Sequence, residues 1–148
     1  MASKKRIVWG LAIAIGIVGT SLWAQGGDKY KIRLAPVPAL GVQPATVQGI
    51  GSASAELSGK KLSITGSFDK MASPATVAHL CLGPITGVRG NSIMDLMLMK
   101  TGTGTTGTIS GSLDLTPDQI DALKKGKLYI QIHSEGAPMG HLMGWLLK

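Results

Sequence analysis

The stretch Lys127–Leu147 reads KLYIQIHSEGAPMGHLMGWLL. In its first half, Leu128, Ile130 and Ile132 fall on one face, and Tyr129, Gln131 and His133 on the other. A period of two is the mark of a half-buried strand. Gly136 and Pro138 then break the run, and a second apolar segment follows. The stretch therefore predicts a hairpin, with His133 at the end of its first strand and His141 opening its second.

The segment just upstream carries a helix signal. Thr116 can cap, Pro117 fits the first helical position, and Gln119 completes a T-x-x-Q capping box. Ile120 and Leu123 supply a buried side, and Gly126 stops the helix. Further upstream the pattern is strand after strand. Val47–Leu57 and Lys61–Phe68 form a hairpin across Ser58-Gly59. Val77–Gly83, the apolar run Ile93–Lys100, and Thr108–Leu115 follow. Gly102-Thr103-Gly104-Thr105-Thr106-Gly107 has the glycine spacing of a dinucleotide loop. That fingerprint needs a helix after it, whereas Thr108–Leu115 alternates as a strand, so the segment reads as a turn.

With many short strands, one corner helix and no βαβ alternation, the expected fold is all-β. It is a Greek-key β-sandwich of immunoglobulin-like or superoxide-dismutase-like layout. Aromatic content of 4% with 21 glycines suits short strands and tight turns. Residues 47–148 make the domain. Residues 25–46 make an extended lead-in, in which Tyr30–Leu34 alternates as a strand before Pro36, Pro38 and Pro44 interrupt it.

The first 24 residues have a different character. MASKKR is cationic, and Ile7–Ala24 is 18 residues long without a charge. Two readings stand: a signal peptide cut near Ala24, or a retained membrane anchor. Both place residues 25–148 outside the cytoplasm, as a periplasmic, secreted or anchored domain. No cysteine lies near residue 24, which excludes a lipoprotein anchor, and the single cysteine excludes an internal disulfide. The net charge is +7, of which Lys4, Lys5 and Arg6 supply three, leaving 12 basic against 8 acidic residues. With so few aromatics and no basic cluster, nucleic acid is not an expected partner.

The terminal hairpin resembles the closing motif of the CHRD family, G-x-L-Y-V-x-[IV]-H-T, a Gly/Pro loop, then G-E-[IL]-R-G-x-L. Gly126, Leu128, Tyr129, His133, Pro138, Gly140, Gly144 and Leu146 match it, while His141 and Met143 replace the family's Glu and Arg. Ala78-His79-Leu80-Cys81-Leu82-Gly83 is similar to the family's A-H-[IL]-H-x-G strand, with Cys81 at its second histidine. Gly87 and Gly90 suit the loop after that strand, and Ser110-Gly111 with Leu113–Thr116 suit its strand-and-corner motif. The resemblance runs over about Gly49–Lys148. It implies a β-sandwich of a kind common in bacterial secreted proteins, and with the apolar amino terminus the expected role is binding outside the cytoplasm, through protein contacts in the cell envelope or as an accessory subunit of a membrane complex. The layout also resembles copper–zinc superoxide dismutase, by architecture alone.

All three histidines and the only cysteine lie in these matched strands. If the strands are neighbours, His79, Cys81 and His133 converge, with His141 or Met143 as a fourth group. Imidazole with soft sulfur suits copper and, less selectively, zinc. The competing reading is structural: a free cysteine acts as a small buried hydrophobe, and such histidines are often held by backbone carbonyls. The methionines Met71, Met94, Met97, Met99, Met139 and Met143 are expected to pack the core. Asp95 is out of place in its apolar run and is expected to pair with Arg89 or Lys100, or to serve a site. No nucleophile elbow or paired carboxylates support catalysis, so the expectation leans toward a non-enzymatic protein.

Overall fold

Eight antiparallel strands and one helix make up the computed structural model, which describes residues 26–38 and 47–148. The signal or anchor expected over residues 1–24 lies outside the described residues. Among the described residues no helix is long and apolar enough to cross a membrane.

The strands are β1 (Asp28–Pro36), β2 (Ile50–Ser58), β3 (Lys61–Asp69), β4 (Ala75–Leu82), β5 (Asn91–Thr101) and β6 (Thr106–Asp114). Helix α1 (Pro117–Lys124) follows, then β7 (Leu128–Ser134) and β8 (Ala137–Trp145). They close into a barrel in the order β1-β2-β3-β6-β5-β4-β7-β8. The β3–β6 and β4–β7 neighbours are not consecutive in sequence, so the chain crosses the barrel ends twice, in the Greek-key manner. The all-β class and the corner helix are as the sequence predicts. The difference is closure: the two layers are continuous around the barrel, which leaves fewer unpaired strand edges.

The lead-in supplies one of the staves. Residues 28–34 pair with β2 from Leu57 back to Gly51, and Ala35 and Pro36 meet Met143 and Leu142 of β8. Period two dictates this: Tyr30, Ile32 and Leu34 point inward and are buried. The same alternation fills the barrel from the other strands, with Ile64, Leu80, Ile109, Ile130 and Leu142 essentially inaccessible. Space is shared between large and small residues. Phe68 faces Gly107, where a Cβ would stand 2.7 Å from the Phe68 ring.

Helix α1 has the full capping box: Thr116 Oγ1 accepts from the Gln119 N–H, and Gln119 Oε1 accepts from the Thr116 N–H. It ends at Gly126, whose φ of +68° is in the left-handed region that glycine adopts without strain. The glycine-rich segment after Lys100 is a turn, as expected, with Gly102 and Gly104 at positive φ.

Two expectations are corrected. β7 is buried on both faces, not one: Trp145 stacks on Tyr129, and Gln131 is covered by the hairpin. The methionines do not all pack the core. Met71 does, and Met94 packs against it, but Met97, Met99 and Met139 are 64%, 63% and 79% exposed. In β5, Leu96 and Leu98 turn inward, so their neighbours Met97 and Met99 must turn out.

Candidate functional site on the outer face of β4 and β7

Strand register decides which of the predicted groups meet. β4 lies between β5 and β7, with His79 opposite Asp95 on one side and Gln131 on the other. Two residues further along β7, the His133 ring reaches that of His79. The centroids are 5.1 Å apart and the planes cross at 74°. Each ring is oriented through Nδ1: His79 on the Asp95 carboxylate at 2.8 Å, His133 on the Pro138 carbonyl at 2.8 Å. A carbonyl and an ionised carboxylate only accept, so both Nδ1 atoms carry the proton and each neutral ring keeps its lone pair on Nε2. Burial pushes the His133 pKa down. Its bond to Pro138 opposes that, while the nearby His79 and Arg89 add to it. Arg89 is itself tied down, donating to the Met139 carbonyl at 2.9 Å. The same carbonyl accepts from Gln131 Nε2 at 2.9 Å.

Cys81 occupies a different row. It is buried and pairs in register with Tyr129, not with His133. Burial raises its thiol pKa, and the neighbouring Tyr129 hydroxyl only partly offsets this. Tyr129 acts as a clamp on the loop after β4: its hydroxyl donates to the Gly90 carbonyl and accepts the Gly90 N–H, each at 3.0 Å. Met143 stands opposite Gln131, half-buried.

His141 does separate work. It is fully buried. The Gln48 carbonyl, 2.6 Å from Nε2, can only accept, so Nε2 carries the proton. Nδ1 must then accept, and the Ser134 hydroxyl donates to it at 2.6 Å. With its proton committed, Ser134 Oγ accepts from the Ser73 hydroxyl at 2.8 Å and the Ala137 N–H at 3.1 Å. Ser73 in turn accepts the Gly136 N–H at 3.0 Å. The proton directions are consistent throughout, and every group named is satisfied. The network joins β7, β8, the β3–β4 connection and the segment before β2.

Of the five expected groups, then, the fold brings His79 and His133 together and sets Cys81, His141 and Met143 in other surroundings. Among the described residues no three His, Cys, Asp or Glu side chains are grouped so as to hold a metal ion. Sequence reasoning missed the role of Asp95 as the partner of His79 and the Tyr129 clamp. A charge in the run Ile93–Met99 was the visible signal for the first; nothing local announced the second.

No curated protein and no solved structure matches the chain, so neither comparison supports the expected likeness to superoxide dismutase. The family comparison is positive: the CHRD domain matches residues 36–146. That span takes in seven of the eight barrel strands whole, including all three that carry a histidine, and the helix, and the chain belongs to the CHRD domain family.

Proposed function

We propose that the protein is a non-enzymatic binding domain that works outside the cytoplasm, through contacts with other proteins of the cell envelope or of a membrane complex. The observation that carries this is the outer face of β4 and β5. Val77, Met97 and Met99 are exposed there, beside the ordered His79–Asp95 pair. Exposed apolar side chains cost solubility unless they meet something, and methionine is enriched at protein interfaces because it adapts its shape. A closed barrel offers little free strand edge for augmentation, so recognition falls to side chains on its faces. The cationic start and the uncharged run Ile7–Ala24 support an extracytoplasmic location.

The test is site-specific photo-crosslinking of the full-length chain in its own cells. A crosslinker at Met97 gives one discrete adduct, one at Lys60 in the distant β2–β3 turn does not, and Val77→Lys removes the adduct without changing the circular dichroism. Equal labelling from both positions, or a full-length product recovered only from the cytosol, refutes the proposal.

A further inference from the structure

We infer that His79 and His133 form a binding site for a divalent transition-metal ion, of the zinc or copper class, on the outer face of the barrel. The inference does not depend on the protein contacts proposed above. Its first support is distance. With metal–nitrogen bonds of about 2.0 Å and roughly 1.2 Å from ring centre to nitrogen, two imidazoles on one tetrahedral ion have centroids about 5.2 Å apart. Those of His79 and His133 are 5.1 Å apart. The second support is the proton inventory. Both Nδ1 atoms donate away from the pair, to Asp95 and to Pro138, so each neutral ring offers its lone pair at Nε2.

The third support is what stands behind the rings. A metal-bound histidine almost always donates its other N–H to a carboxylate or a backbone carbonyl, which fixes the tautomer and raises ligand basicity. The pair has one of each. This also accounts for Asp95, a carboxylate 86% exposed in the middle of the otherwise apolar run Ile93–Met99. Its negative charge offsets the Arg89 guanidinium, which disfavours a cation nearby. Two nitrogens leave coordination positions open, to be filled by water or by a donor from outside the chain. Cys81 is not a ligand: its thiol is buried in the row of Tyr129. Nor is His141, both of whose nitrogens are engaged.

The test is calorimetric titration of the full-length, chelator-stripped chain with zinc chloride and, separately, with copper(II) chloride. One ion binds per chain, copper more tightly than zinc as expected for imidazole donors. His79→Gln and His133→Gln each abolish that event. Asp95→Asn weakens it by roughly 10- to 100-fold, as loss of the carboxylate that orients a ligating imidazole does. Cys81→Ser leaves it unchanged. A readout that needs no variant is paramagnetic broadening by substoichiometric copper(II), which erases the His79 and His133 ring signals before those of His141. No binding at millimolar metal, unchanged binding in both His→Gln variants, or loss of binding in Cys81→Ser alone overturns the inference.

Discussion

Replacing His141 with alanine tests the buried network most directly. The side chain is inaccessible and makes two hydrogen bonds of 2.6 Å, to Gln48 and Ser134. Removing it leaves the Gln48 carbonyl and the Ser134 O–H without their partner, at about 1–3 kcal/mol for each buried group that stays unpaired. Water entering the vacated space recovers part of that, while the lost packing adds to it. The expected loss is about 3–5 kcal/mol, a large share of a typical domain's 5–15 kcal/mol. In urea unfolding of the full-length chain followed by far-ultraviolet circular dichroism, the midpoint falls steeply. At roughly 4 °C per kcal/mol the thermal midpoint drops by about 12–20 °C. Ser134→Ala alone costs less, because Nδ1 then loses one neutral donor, and the double variant loses less than the two single losses together, since both act on one chain of bonds. A loss below about 1 kcal/mol for His141→Ala, or strict additivity with Ser134→Ala, refutes the view of His141 as a brace.

Three more outcomes follow from the same geometry. Cys81 reacts with a disulfide reagent at pH 8 at least roughly 100-fold more slowly in the folded chain than in guanidinium, since burial both raises its pKa and hides its sulfur; equal rates contradict the placement. Tyr129→Phe removes both bonds to Gly90, and costs about 1–2 kcal/mol with faster amide exchange at Gly90 in the loop after β4; unaltered exchange there denies the clamp. The Asp69 carboxyl is held below the usual range by the Thr106 hydroxyl and then by the Lys70 N–H, so its stabilisation is present above the unfolded value of about 3.9 and is lost as pH falls through the lower folded value. Thermal scans from neutral pH downward show Asp69→Asn less stable than the parent near pH 7, with the gap closing below about pH 4; a gap that widens on acidification reverses the assignment.

The candidate site was legible to the extent that the sequence placed its residues on the same faces of neighbouring strands. His79 and His133 were named from the strands that carry them, and the fold brings them to 5.1 Å. Cys81, named on the same reasoning, lies beside Tyr129, on the far side of His79 from His133 along the strands. Face is a local property, but row is set by register between strands some fifty residues apart in sequence. His141 shows the same limit. Nothing in G-H-L-M-G tells whether its imidazole meets solvent, a metal or the Gln48 carbonyl, because Gln48 is 93 residues away. The methionines of β5 were misread because an apolar residue was taken as an inward one, although roughly half of any folded surface is apolar.

What the sequence alone determined was whatever local stereochemistry enforces. Period two made the strands, the T-x-x-Q box with Pro117 started the helix, Gly126 ended it, and Gly102 and Gly104 turned the chain. What only the tertiary structure decided was closure and company. Residues 28–36 became a barrel stave by pairing with β2 and β8, Asp95 found His79 across a strand pair, and the buried His141 was tied to Ser134 and to the Gln48 carbonyl. Each of these depends on burying apolar surface from distant segments at once, a cooperative gain that no short window of residues contains.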